Sequence, residues 1–284
     1  MTPGDSPAVL TPSEVDAALG TVIDPELDEP VTDLGFVTER TVVDGDVAVH
    51  LRLPTAFCSP NFAYLMVADA HDAIAALPGV RTVRIVLDDH HDSDRINRGV
   101  AAGLGFAGTY PDEAAGELDQ LRRTFRVKAH TAFIERVCGV MIRDHGWGVT
   151  DLARLTIADL PAKSREGLGK RRADLGLSRL PGDAVLVDED GTPWAQDEIP
   201  VRLRYAKSVR ISIDGNAHFC RGLLRTRYPD AADDQRPRSH DGFAADLGVP
   251  AIRHRGARGA VEAVDRRPTQ ARPIDQRETV GSAS

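Results

Sequence analysis

Residues 53–66 read LPTAFCSPNFAYLM, with Cys58 just ahead of Pro60 and of a run of apolar residues at helical spacing. Pro60 suits the first turn of a helix, so Cys58 is expected within about two residues of that turn. The unpaired N–H groups and dipole of a helix start favour the thiolate, the form that binds metal or exchanges sulfur. The same position also suits a small buried hydrophobe, a common use of free cysteine.

A second group is LDDHHDSDRIN, residues 87–97, which crowds Asp88, Asp89, His90, His91, Asp92 and Asp94 after a strand-like run. Imidazole and carboxylate together bind iron, zinc or manganese. Strand alternation aims only one of His90 and His91 toward the domain's edge, and His90 is the first choice of metal ligand. The alternative is a solvated acidic loop in which Asp92 or Ser93 caps the next helix.

His130, Cys138 and His145 share one long helical pattern. Their spacing separates neighbours by about 10–12 Å along the axis, too far for one ion. A core role is expected for Cys138 and a surface or capping role for His145. His218 and Cys220 stand two apart in a stretch with strand alternation, where they would share one face. Gly167-Leu168-Gly169-Lys170 invites comparison with a phosphate loop, but Arg171 stands where Ser or Thr is needed. The basic run from Lys163 to Arg179 is better suited to docking against an acidic partner or the chain's own acidic first third. No G-x-S-x-G or H-E-x-x-H motif appears, so the second region offers no catalytic set.

These residues need elements to position them. Thr11 to Glu14 forms a capping box with Pro12 at the first helical position. The helix it opens stops before Asp24-Pro25-Glu26. LGFVTERTVV and DVAVHLRLP flank Asp44-Gly45, a hairpin signal. A helix from Pro60 to Leu77 follows, with Phe62, Leu65, Met66, Ala70, Ala73 and Ile74 on its stripe, and then the strand VRTVRIVL. The fold class is therefore α+β: a small N-terminal α-β-β-α-β domain, a mixed helical and strand second region, and a disordered tail. The expected organisation is a flexible leader at 1–11, a domain at 12–103, a second α+β region at 104–228 suited to client binding, and a mostly disordered tail at 229–284. GLGFAGTYPDE reads as the linker between the two regions. AVLVDEDGTPW and IPVRLRYAKSVRISIDGNAHFC read as strands.

Composition excludes several classes. Residues 1–100 carry 6 Lys and Arg against 17 Asp and Glu, of 35 and 43 in the whole chain, so nucleic acid is not an expected partner. No run of 18 or more apolar residues is present, and no membrane span is expected. The 3 cysteines are widely spaced, without C-x-x-C, which fits reduced thiols in a cytoplasmic protein.

VIDPELDEPVTDLGFV, the hairpin, LPTAFCSPNFAYLM and LPGVRTVRIVL, in that order, resemble the iron–sulfur cluster assembly (metal–sulfur cluster biosynthesis) domain family. That family includes accessory proteins of the Suf pathway and of phenylacetate degradation and the eukaryotic cytosolic cluster-targeting factor. The resemblance spans about residues 12–90 and rests on Asp24-Pro25-Glu26, Asp33-Leu34-Gly35 and the stretch from Thr55 to Pro60. Ser59 departs from the family's pattern, in which proline follows the cysteine directly. The resemblance implies a non-enzymatic accessory protein that assembles, carries or delivers a transient iron–sulfur cluster or iron. The family's reactive cysteine falls on Cys58, and its acidic motif on Asp24 and Glu26, giving a cofactor-binding set. Implied partners are a client metalloprotein and cluster-assembly proteins, with an iron-dependent oxygenase as one client. A homodimer bridging one cluster through two Cys58 thiolates is compatible with this. The rival readings are an adaptor that binds no metal, and a mononuclear metalloenzyme using His90, His91 and nearby carboxylates.

Overall fold

The computed structural model describes residues 10–112 and 117–229. The expected leader up to residue 9 and the expected tail from residue 230 lie outside the described residues. The fold is α+β, with a mixed sheet and two hydrophobic cores.

Helix α1 (Pro12–Leu19) starts as its sequence dictates. Thr11 and Glu14 close a reciprocal capping box, the Glu14 carboxylate accepting the Thr11 N–H at 2.8 Å. Leu10 and Val15, at the two positions of a hydrophobic staple, are both buried in the first core. Two short strands follow, β1 (Ile23–Asp24) and β2 (Glu29–Pro30), paired antiparallel around the acidic turn.

Strands β3 (Val37–Val43) and β4 (Asp46–Arg52) form an antiparallel hairpin closed by Val43 opposite Asp46. Asp44 and Gly45 both take positive φ, 51° and 83°, the requirement of the tight turn whose twist matches the strands. Gly45 is needed twice over, because a Cβ there would lie 2.5 Å from the Gly79 carbonyl. Helix α2 (Pro60–Ala75) crosses over to β5 (Thr82–Asp88), which pairs parallel to β4, giving the order β3-β4-β5. Along β4 the inward residues Val47, Val49 and Leu51 alternate with half-buried ones.

Helix α2 is buried more widely than one stripe. Ala63, Tyr64 and Val67 are covered as well as Leu65, Met66, Ala70 and Ile74. The extra cover comes from α3 (Ser93–Ala101) and α4 (Gly105–Thr109). Phe106 and Tyr110 stack edge-on against Tyr64, with centroids 5.2 Å and 6.4 Å away. The stretch expected as a linker thus packs on the first core, with Tyr110 only 2% exposed. Its seat depends on Gly99, where a Cβ would stand 2.1 Å from Thr109 Oγ1. Gly99→Ala is expected to lower stability by about 1–2 kcal/mol in thermal unfolding, the steric cost exceeding the gain in helix propensity.

The second region is built on two 29-residue helices, α5 (Glu117–His145) and α8 (Ile199–Arg227). Between them lie α6 (Val149–Leu152), a 3₁₀ turn (Ile157–Asp159) and α7 (Ala162–Leu175). Residues 199–220, read as strand from their alternation, are helical, a correction to the sequence-based expectation. The face that decides this is Ile199, Ala206, Ile213 and Ala217, all buried along α8 at heptad-like spacing. Strand character in this region is confined to the isolated bridges Thr156–Ala184 and Val187–Pro193 among the described residues. Helices α5 and α8 run in opposite senses and join the two cores: Leu118 and Leu224 pack on the first, Phe133 and Ile199 in the second. Glu135 with Arg210 at 2.5 Å, and Arg136 with Asp214 at 2.6 Å, tie them midway.

Basic residues of the second region do dock on the acidic first domain. Arg122 makes a two-pronged bond to Asp69 on α2, at 2.6 Å and 2.8 Å. Arg171 of α7 bonds Asp28, with Arg136 3.7 Å from the same carboxylate. The glycines of the Gly167–Lys170 stretch sit inside α7, not in a phosphate-binding loop.

Candidate functional site

Four elements converge on a cavity of about 90 Å³ beside the start of α2. Asp24, Glu26 and Leu27 come from the acidic turn, Leu53 and Pro54 from the end of β4, and Cys58 to Met66 from the loop and first turns of α2. Cys220 of α8 closes the set. The structure therefore brings Cys58, Asp24 and Glu26 to one place, and adds a second thiol from far along the chain.

Cys58 directly precedes the helix N-cap Ser59, with Pro60 at the first helical position. The extra residue relative to Cys-Pro is thus absorbed as the N-cap, and the cysteine stays next to the helix start. Thr55 folds the loop into a turn: its Oγ1 accepts the Phe57 N–H at 3.1 Å and donates to the Cys58 sulfur at 3.7 Å.

Asp24 is 6% exposed, and one of its carboxylate oxygens accepts the N–H groups of Glu26 and Leu27, both at 2.9 Å. Burial outweighs those two hydrogen bonds and raises its pKa to about 6, with Glu26 adding repulsion. Glu26 accepts from Asn216 of α8 at 3.1 Å, and Glu29 pairs with Arg221 of α8. Asp28, at φ 54°, is the residue gripped by Arg171. The acidic turn is thus held at every carboxylate, by its own backbone or by helices of the second region.

His90, expected as a metal ligand, is committed elsewhere. It is buried, its Nε2 donates to the Cys58 carbonyl at 2.9 Å, and its Nδ1 accepts the Asp92 N–H at 3.2 Å. Both ring nitrogens are used, and burial lowers its pKa, so the ring is a neutral brace for the cysteine loop. His91 reinforces the brace: its N–H and its ring both bond the Ala56 carbonyl, and the ring stacks on Phe57. Neighbouring carboxylates are also engaged, Asp88 by His50, Asp89 by Tyr228 and Asp92 by Tyr110. Asp92 stands at the N-cap of α3 without a capping side-chain bond, while Ser93 Oγ exchanges hydrogen bonds with the His90 backbone. Among the described residues, no group of three or more His, Cys, Asp and Glu is arranged to hold a metal ion.

The other thiols and histidines separate cleanly. Cys138 is buried in the second core and burial pushes its pKa up to about 12, as a core cysteine requires. His130 is buried and held to a pKa of about 4, while His145 is exposed in the last turn of α5. On helix α8, His218 and Cys220 point about 200° apart, so the expected pairing on one strand face does not exist. His218 faces solvent, and Cys220 faces the cavity. Burial, then the nearby Cys58, Asp24 and Glu26, raise the Cys220 thiol to about 11. The available signal was the heptad spacing of α8 itself: Cys220 lies three after Ala217 and four before Leu224, on the buried seam.

Residues 12–85 match the family model described as iron-sulfur cluster assembly protein. Proteins named iron-sulfur cluster carrier protein from Mycobacterium bovis and Mycobacterium tuberculosis are 40% identical to the chain over 79 residues. That overlap covers 28% of this chain and 20% of theirs, so the chain spans about a fifth of the length of these curated relatives. No solved structure matches the chain. No helix among the described residues is long and apolar enough to cross a membrane.

Proposed function

We propose that this protein assembles or carries an iron–sulfur cluster, or iron, for a client metalloprotein, with Cys58 as the thiolate that holds the cargo transiently. The observation that carries this reading is the placement of Cys58: next to the start of α2, at the wall of a cavity shared with Asp24 and Glu26. The domain match over residues 12–85 and the carrier names of the mycobacterial relatives support it. The role is that of a carrier, not an enzyme. A carrier must protect its cargo yet let it go, and a site with few protein ligands suits release better than a closed four-cysteine cage. Asp24 and Glu26 orient or polarise the thiol, and His90 positions its loop. Residues 104–228 form the client-recognising part, with an iron-dependent oxygenase as the client that the family resemblance suggests.

Anaerobic reconstitution with iron and sulfide tests this directly. Wild type is expected to gain a visible chromophore and bound iron, and Cys58→Ala to lose both at little cost in thermal stability, because Cys58 is only half-buried. The adaptor reading is favoured by one feature, the cover that α8 lays over the cavity. No iron uptake in either protein would replace the carrier with that adaptor, and equal uptake in both would remove Cys58 from the iron site.

A further inference from the structure

We infer that Cys220 is the second thiolate of the Cys58 site, so that one chain alone grips a thiophilic metal ion or one iron of a cluster between α8 and the start of α2. This rests on the proposed carrier function and extends it to a residue outside the matched domain, which ends at residue 85.

The two thiols line one cavity, whose size suits an ion or a few waters. Their approach is fixed from both sides. Flanking Cys220 in the helix, Asn216 donates to Glu26 and Arg221 pairs with Glu29. Below it, Arg227 donates to the Leu53 carbonyl at 3.1 Å and to the Asp89 carbonyl. Leu53 and Asp89 directly follow the two parallel strands that lead into the cysteine and histidine loops. Ala217 and Leu224 pack on the first core on the same helical face. Helix α8 is therefore locked in register with Cys220 over the site, while the exposed neighbours His218 and Phe219 point away.

Two thiolates on a borderline-soft ion leave further coordination positions open. Those positions are where a donor protein or the client adds its own ligands, which gives exchange without a second copy of this chain. Binding releases the two thiol protons to solvent, and no oxidation or reduction is required.

The test uses the full, reduced chain and Cd²⁺ as the probe. Wild type is expected to bind a single Cd²⁺ with sulfur-to-metal charge transfer from two thiolates. Cys220→Ser is expected to lower that absorbance by about half and to weaken binding by about 10–100-fold or more. A Cys58→Ser/Cys220→Ser double variant sets the background from Cys138. Wild-type protein also supplies a readout free of any folding defect: Cd²⁺ should protect Cys58 and Cys220 from iodoacetamide together, at one Cd²⁺ concentration, by peptide mass spectrometry. Protection of Cys58 alone, or an unchanged spectrum in Cys220→Ser, overturns the inference. Iron and sulfide loading separates the two ideas. A Cys58-dependent chromophore that is undiminished in Cys220→Ser keeps the carrier reading and removes Cys220 from it. Paired Cd²⁺ protection in a protein that takes up no iron keeps the two-thiolate site and removes the iron cargo.

Discussion

Replacing Arg172 by Ala is expected to lower stability by about 3–5 kcal/mol, the largest effect of any single change in the second region. Arg172 is 2% exposed and heads the fully buried side chains by volume. Its guanidinium donates to the carbonyls of Ser178, Ala184 and Val185, at 2.9, 2.5 and 3.2 Å. The end of α7 is thereby tied to the loop that crosses the second core. Alanine leaves those carbonyls without their donor and a cavity in place of the side chain. Burial also disfavours the charged guanidinium, and its Nε has no partner among the described residues. Arg172→Met should therefore cost less than alanine, because it fills the space and removes a partly unsatisfied cation. Trp147 and Trp194, the 2 tryptophans of the chain, both pack on this core, so their fluorescence in urea reads the change directly. Equal midpoints for wild type and Arg172→Ala would show that the three carbonyl contacts contribute nothing. The consequence reaches the site, since the preceding residue, Arg171, is the one that grips Asp28 in the acidic turn.

Asp24→Asn is expected to act in the opposite direction and stabilise the protein at neutral pH. Asp24 holds its proton up to about pH 6 when folded, against an ordinary value of 3.8. Between those values the folded state binds more protons than the unfolded one, so stability falls as pH rises from about 4 to about 6 and stays at the lower level above. At about 1.4 kcal/mol per pH unit, the difference is worth roughly 3 kcal/mol. Asparagine keeps an oxygen to accept the Glu26 and Leu27 N–H groups at 2.9 Å and carries no charge to desolvate. Urea midpoints measured from pH 4 to pH 8 should show the advantage of Asp24→Asn over wild type growing from about pH 4 to about pH 6 and then holding level, because buried His130 and His90 titrate alike in both proteins. A difference between the two proteins that stays constant with pH would refute the argument. A buried carboxylate that costs stability while lining a thiol site is the pattern expected of a residue kept for function. The paired expectation is that Asp24→Asn gains stability and loses iron loading. Stability gained with loading intact would make Asp24 a turn-forming residue only.

Much of the first domain was legible because its signals are local. A capping box needs residues three apart, the hairpin needs Asp44 and Gly45 in sequence, and Pro60 marks the start of α2 within one turn. The family motifs lie in the same short loops, so Cys58, Asp24 and Glu26 were identifiable before their positions in space were known. His90 was legible as a notable residue, but the contacts that engage both of its ring nitrogens were not. Its bonds to the Cys58 carbonyl and Asp92 N–H depend on how two loops meet across β4 and β5.

Helix α8 shows where local reading fails. Val201, Leu203 and Tyr205, and then Val209, Ile211 and Ile213, alternate with polar residues as a strand would. Val201, Tyr205 and Ile211 are exposed in the fold, at 57%, 65% and 53%. The residues that matter, Ile199, Ala206, Ile213 and Ala217, are ordinary one by one and gain meaning only against α5 and the first core. Sequence alone determined the small α+β domain, its turn chemistry and the thiol beside a helix start, because neighbours along the chain set each of these. Tertiary structure decided that α8 is a helix, that Arg171 and Arg221 seize the acidic turn, and that Cys220 shares a cavity with Cys58. Those pairings join residues far apart in the chain, held together by the burial of a shared seam and the ion pairs across it.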